Sequence, residues 1–188
     1  MNRGWVVWIV LMSGCTPRTG VGPVEGALAP EQVQLAQGYA LLHELVSKQS
    51  GLDQSLILGG GMSDETRALI REIDAASEEA TEKVRSMAQA APWIDLRTLG
   101  LPEAEAGSRR HMEAGVTRRL LFAGKDFELR LLLSQVDATG YGEALAIALE
   151  KMEKDRERRE WLRGFAQEYA GYARRVEGRL AVRKGESR

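Results

Sequence analysis

The apolar residues from about residue 30 onward recur every three or four positions, which is the spacing of one face of an α-helix. After Pro30, a residue tolerated at a helix N-terminus, the apolar stripe is Leu35, Tyr39, Leu42 and Val46. No stretch alternates between apolar and polar residues for long enough to predict a strand, and the chain contains no internal repeat. The pattern therefore predicts an all-α domain.

The first two helices have recognisable ends. The first is expected to end near Ser50, and the three glycines 59–61 stop any regular element. Ser63 is a good N-cap, and Asp64 and Glu65, which follow it, suit the first turn of a helix. This second helix is expected to end before Pro92. The apolar face of this helix comprises Leu69, Ile73, Ala76, Ala80, Val84 and Met87.

The second half of the chain predicts two longer helices. The third is expected to begin near Pro102 and to end at Gly140. Its predicted core stripe is Met112, Val116, Leu120, Ala123, Phe127, Leu131 and Ser134. The fourth begins near Tyr141 and is either continuous or broken in the charged residues 153–160; we favour continuity. The expected fold is an up-down-up-down four-helix bundle over residues 30–182, with a basic disordered tail at 183–188.

A short apolar run from Trp5 to Met12 lies near the N-terminus, behind Arg3. A helix that spans a bilayer needs ~20 apolar residues, so this run is too short to cross a membrane. A basic residue, a short apolar run and small residues are instead typical of an export signal. Residues 1–14 are therefore expected to be a signal peptide.

The cysteine that follows makes this prediction more specific. The stretch "LMSGC", which ends at Cys15, resembles the lipobox of bacterial lipoprotein signal peptides, although Met12 stands where leucine is usual. The resemblance covers only the start of the chain. It implies cleavage between Gly14 and Cys15 and acylation of Cys15, which would hold the protein on a membrane. Thr16, rather than Asp, follows the cysteine, which in this family favours the outer membrane of a Gram-negative envelope, facing the periplasm.

Residues 15–29 carry several prolines and glycines and are expected to form the acylated cysteine and a flexible tether. The formal net charge of −1 excludes a generally basic nucleic-acid binder. The charge is uneven, since residues 151–188 contain twelve Lys or Arg against seven Asp or Glu. This end is either a solvated face with a tail or a basic arm that contacts anionic lipid or glycan.

The sequence offers little catalytic chemistry. Ferritin-like bundles use Glu-x-x-His pairs, but Ala40 and Ser108 stand three residues before the two histidines, His43 and His111. The glycine run before Ser63 lacks the lysine of a phosphate loop. Two acidic groups have the spacing of solvated helix faces: Glu78, Glu79 and Glu82, and Glu153, Asp155, Glu157 and Glu160. We predict no catalytic residue, metal or cofactor.

Two tryptophans are candidate partner contacts. Trp93 lies in a predicted loop and Trp161 follows the charged stretch; each either covers one end of the bundle or anchors a partner. The sequence as a whole favours a membrane-anchored bacterial lipoprotein that acts by binding or scaffolding at the cell envelope. An envelope protein is the expected partner. The alternative is a metal-handling or enzymatic ferritin-like bundle with a non-standard carboxylate site.

Overall fold

The computed structural model describes residues 28–51 and 62–186, and every regular element in these ranges is helical. Five α-helices and one 3-10 turn, Gly124–Asp126, account for most of them. The helices are α1 (Pro30–Gln49), α2 (Asp64–Ala90), α3 (Glu103–Leu121), α4 (Phe127–Met152) and α5 (Arg156–Glu186). The all-α prediction is confirmed.

The helices α1 and α2 have the predicted bounds. The Ser63 side chain caps α2 by accepting a hydrogen bond from the backbone N–H of Thr66, and α2 ends two residues before Pro92. The predicted stripe of α1, from Leu35 to Val46, is buried. The predicted stripe of α2 is also buried, except for the half-buried Ala76. These helices could be predicted because Pro30 at the start of α1, the Ser63 cap of α2 and both apolar faces are local sequence features.

The predicted start of the third helix near Pro102 is confirmed, since α3 begins at Glu103, but the predicted boundary between the third and fourth helices and the continuity of the fourth were wrong. Gly140 lies inside α4, and the chain instead leaves helical geometry at two other places. The first is the turn between α3 and α4, where Gly124 has a φ of 54°. The second is residues 153–155, so the charged stretch is a break rather than a continuous helix. A single helix from 141 to 180 does not exist.

The predicted stripe of the third helix is correct only in its second half. Ala123, Phe127 and Leu131 are buried, but α3 itself has no buried residue, and Met112 is 57% exposed. The reason is that a turn now separates the two halves, so the Met112 face does not continue into the Phe127 face. Consequently α3 lies on the outside of the domain and contacts mainly α4.

The other four helices surround the core. The most extensive contact is between α4 and α5; α1 contacts α2 and α4, and α2 contacts α5. The largest buried cluster includes Tyr39, Val84, Leu149 and Phe165, which come from all four of these helices. At the other end of the domain, α5 runs to Glu186, into the stretch predicted as a tail. None of the helices in the described ranges is both long and apolar enough to cross a bilayer.

Candidate functional site

A polar cluster lies in the interior, and each of the four core helices contributes one side chain. Gln49 Nε2 donates to Gln135 Oε1 at 3.2 Å, and the Tyr169 hydroxyl donates to Gln49 Oε1 at 3.1 Å. Ser77 Oγ lies 2.9 Å from the Tyr169 hydroxyl and 2.6 Å from the carbonyl oxygen of Ile73. All four side chains are buried. We call them the interior polar cluster: Gln49, Ser77, Gln135 and Tyr169.

The interior polar cluster is neutral at physiological pH. Amides and a serine do not titrate there, and burial raises the pKa of Tyr169 above its ordinary value. The four side chains bond mainly to one another rather than facing an open site. The physical effect of the cluster is to fix the relative positions of α1, α2, α4 and α5.

A second cluster forms around the break between α4 and α5. Glu153 is 3% exposed and accepts hydrogen bonds from the Tyr39 hydroxyl at 2.7 Å and from Arg158 Nε at 2.9 Å. Arg158 Nη2 bonds the second carboxylate oxygen at 3.1 Å, which makes the pair bidentate. The backbone N–H of Asp155 donates to the same oxygen at 2.8 Å. We call Tyr39, Glu153 and Arg158 the Glu153 cluster.

Opposing effects act on the ionisation of Glu153. Burial raises the pKa of a carboxyl, but the hydrogen bonds from Arg158, the Asp155 backbone and Tyr39 outweigh it, and the pKa of Glu153 lies below its ordinary value. Burial and the neighbouring carboxylate raise the pKa of Tyr39. Glu153 is therefore a charged, fully paired group, and a general acid at neutral pH would need the opposite shift.

The two candidate tryptophans lie at the same end of the domain, next to the Glu153 cluster. The Arg158 guanidinium stands 5.5 Å from the centroid of the Trp93 ring, and Trp161 follows Arg158 by three residues on α5. The Trp161 ring is 5.4 Å from that of Phe165. Both tryptophans are partly buried and pack against the main core. Both tryptophans thus cover the same end of the core and remain partly exposed to solvent.

The two histidines singled out in the sequence lie on different helices, α1 and α3, and most of the acidic residues face solvent. His43 is half-buried beside Ser47, and burial is the main cause that lowers its pKa; His111 is exposed. Six of the acidic residues are exposed, as the pattern of solvated faces predicts: Glu78, Glu79, Glu82, Asp155, Glu157 and Glu160. The prediction was wrong for Glu153, which is buried because the helix breaks there and its carboxylate pairs with Arg158 and Tyr39. Within the described ranges, no group of three or more His, Cys, Asp or Glu side chains could hold a metal ion. Cys15 and Gly14 lie outside these ranges.

One polar cavity of about 170 Å³ opens where α2 begins and α5 ends. Its walls include Glu65 and Glu128 beside Arg179 and Arg183. Arg179 bonds Ser63 Oγ at 3.0 Å, and Arg183 pairs with Glu128. Acidic and basic groups thus compensate each other, so the cavity favours neither a simple anion nor a simple cation.

Sequence reasoning missed both buried clusters, although part of the signal was present. Gln49 follows Val46 by three residues, and Ser77 follows Ile73 by four, so each polar residue continues an apolar stripe. Asp155 Oδ1 accepts from the backbone N–H of Arg158 at 2.9 Å, which is the bonding of an N-cap. Asp155 could therefore have indicated a new helix. That Tyr39 would meet Glu153 had no signal in the sequence.

Comparisons with protein-family models, curated proteins and solved structures found no match to this chain.

Proposed function

We propose that this protein is a bacterial lipoprotein, anchored through acylated Cys15, whose helical domain binds or scaffolds partners at the cell envelope. The proposed binding role rests on one observation, which is that the polar side chains of the interior clusters are neutral or ion-paired. In the described ranges, the interior polar cluster is neutral, and the buried carboxylate Glu153 is ion-paired. The remaining acidic candidates face solvent. A domain of this kind acts through its surface.

The domain that presents this surface is best described as a four-helix bundle with an added helix. The contacts run from α1 to α2, α2 to α5, α5 to α4 and α4 back to α1, which supports a closed arrangement of four helices. Neighbours α4 and α5 are antiparallel, since Glu150 pairs with Arg163 while Glu128 pairs with Arg183. In this description α3 is an extension on the outside of the bundle.

The alternative is a metal-handling ferritin-like bundle, but the polar residues of the interior do not suit such a site. Such sites place carboxylates and histidines between the helices. The interior polar cluster supplies two amides and two hydroxyls at that place instead. These ligands suit a transition metal poorly. Metal analysis of purified protein tests this alternative: a stoichiometric, tightly held metal would support it and contradict the binding proposal.

The anchor is tested by intact mass and membrane fractionation of the full-length protein and of Cys15→Ser in a bacterial host. We expect wild type to lack residues 1–14, to carry added acyl mass and to sediment with membranes. Cys15→Ser should keep its full mass and lack the acyl addition. A matched control, Ser13→Ala, preserves a small residue before the cysteine and should be processed like wild type.

An unmodified, full-length wild type would refute the lipoprotein assignment. Acylation without any recovered envelope partner after cross-linking would leave the anchor supported and count against the scaffolding role. The two parts of the proposal can therefore fail separately.

A further inference from the structure

The turn that joins α3 to α4 exposes large apolar side chains. Phe122 is 83% exposed and Leu121 is 58% exposed, which makes them the two most exposed large hydrophobic residues in the described ranges. They are adjacent, at the C-terminal end of α3, so they form one apolar projection. We call residues 118–125 the α3–α4 corner.

Basic side chains surround this projection. Arg118 precedes Leu121 and Phe122 by three and four residues, so it lies on the same side of the helix end. Arg119 follows Arg118 directly, and Lys125 lies in the 3-10 turn. All three basic side chains are exposed. Neither Arg118 nor Arg119 forms an ion pair with another residue in the described ranges. The corner contains three basic residues, and Asp126 is the one acidic residue that directly adjoins it in the sequence, so a net positive charge remains.

The fold brings the basic end of α5 to the same place. Arg183 Nη2 donates to the backbone carbonyl of Lys125 at 3.2 Å, across 58 positions of sequence. Val182, the residue before it, is a third exposed apolar side chain at 51%. Arg179 and Arg183, the arginines at this end of α5, pair with Glu65 and Glu128, so the uncompensated charge is that of the corner. The tertiary structure thus places the exposed apolar Val182 and the end of α5 beside the corner.

We propose that the α3–α4 corner, with the adjoining end of α5, is a docking surface for an anionic phospholipid bilayer. Exposed Phe and Leu side chains partition into the boundary between headgroups and acyl chains, and neighbouring Arg and Lys side chains bind anionic headgroups. The charge complementarity favours lipid over a second copy of this chain, because two such corners would repel each other. Its relevance to the cell rests on the proposed lipoprotein anchor, which places the domain beside a membrane.

The position of the corner predicts how the domain lies on the membrane. The tether enters at the start of α1, where Glu31 pairs with Lys154 at the far end of α4. The corner is at the beginning of α4, and a helix of 26 residues is about 39 Å long. The start of α1 and the corner therefore lie at opposite ends of α4. Docking through the corner would place the α3–α4 end of the domain against the membrane.

The test is co-sedimentation of the unacylated full-length chain, Cys15→Ser, with vesicles of phosphatidylcholine alone or mixed with phosphatidylglycerol. We expect binding that requires phosphatidylglycerol and weakens at high salt, because added ions screen the arginine contacts. Adding Leu121→Ser and Phe122→Ser should lower the partition coefficient about tenfold or more, and Arg118→Gln with Arg119→Gln should act similarly. All variants share the same N-terminal segment, so its contribution cancels.

Matched controls lie at the opposite end of the domain. Met152→Ser removes an exposed apolar residue there, and Arg156→Gln with Arg159→Gln removes two exposed charges. Both controls should bind like the parent chain. Far-UV circular dichroism checks that each variant keeps its helical content, and the arginine pair gives an independent test if the apolar variant fails to fold.

Equal binding by the corner variants and the controls would overturn the proposal, as would the absence of binding to phosphatidylglycerol. Concentration-dependent self-association abolished by Phe122→Ser would also overturn it and assign the corner to a second copy. These outcomes are separate from the anchor, because the vesicle experiment uses a chain that cannot be acylated at Cys15.

Discussion

At the scale of single residues, Glu153 shows how a buried charge is retained. Its carboxylate loses contact with water, and three hydrogen bonds from Tyr39 and Arg158, together with one from the Asp155 backbone, replace that hydration. Removing one partner of such a pair leaves an uncompensated charge, which costs more than the intact pair contributes. The residue therefore ties α1 to the break between α4 and α5.

Glu153 should make part of the stability depend on pH. Its pKa in the folded protein lies below the unfolded value of about 4.3, so the carboxylate stabilises the fold above that pH, and this contribution is lost as the pH falls through the folded pKa. We expect Glu153→Gln to reduce the free energy of unfolding by about 1–3 kcal/mol at pH 7. The difference should shrink under acid, because a protonated carboxyl resembles the amide. Urea unfolding at several pH values measures it.

The exposed residue Glu157 provides a control for the pH prediction. Its carboxylate pairs with Lys83 at the surface, so Glu157→Gln should change the free energy of unfolding by less than about 0.5 kcal/mol. A Glu153→Gln deficit that stays constant from neutral to acidic pH would contradict the assignment of a charged, paired Glu153.

At the scale of elements, two glycines of α4 differ although they are only two residues apart. A Cβ on Gly142 would lie 2.6 Å from Tyr169 Cδ1 on α5, whereas a Cβ on Gly140 would meet nothing within 4 Å. Gly142 thus permits the close approach of α4 and α5, which form the most extensive contact of the fold. Gly140 has no such role and only weakens the helix.

Alanine substitution should separate these two roles. Gly142→Ala is expected to destabilise the fold by about 1–3 kcal/mol, because the aromatic ring of Tyr169 must move from a packed position. Gly140→Ala should stabilise it by about 0.5–1 kcal/mol, because alanine favours the helix and the space is open. Chemical unfolding of the two variants measures both effects. Equal effects of the two substitutions would show that α4 and α5 are not packed as closely as described.

At the scale of the whole molecule, the interior polar cluster links four helices through side chains far apart in the sequence. Gln49 and Gln135 are 86 residues apart, and Tyr169 and Ser77 are 92 apart. An apolar core alone tolerates small rotations of its helices, whereas directional hydrogen bonds do not. The cluster therefore favours one relative placement of α1, α2, α4 and α5 over neighbouring ones.

A double-mutant cycle tests whether the glutamines act as a pair. Gln135→Met leaves the Gln49 amide without an acceptor, so it should cost about 1–3 kcal/mol. Gln49→Met should cost less free energy of unfolding in the Gln135→Met variant than in the wild type, with a coupling energy of about 0.5–3 kcal/mol. Denaturant unfolding gives the four free energies. As a control, Gln135→Met and Tyr39→Phe lie in different clusters and should add within about 0.5 kcal/mol.

The same scale explains the difference between the predicted and observed helices. Ser63, Pro92 and the stripe from Leu35 to Val46 act through neighbours in the sequence, so the helical class and the bounds of α1 and α2 could be predicted from residue type and spacing. Gly140 was expected to end a helix because glycine is a weak helix former. Packing of α4 against α5 over its whole length outweighs that small penalty.

The sequence by itself determined that the chain is helical, which faces of α1 and α2 are apolar, and that the main run of charges near residue 155 interrupts an apolar pattern. The tertiary structure decided the rest. It placed Glu153 against Tyr39 at the break, joined four polar residues into one interior cluster, left α3 outside the core and brought the α3–α4 corner beside Arg183. The physical reason is range: caps and helix propensity act within about one turn, whereas hydrogen bonds and packing between helices depend on residues that only the folded chain brings together.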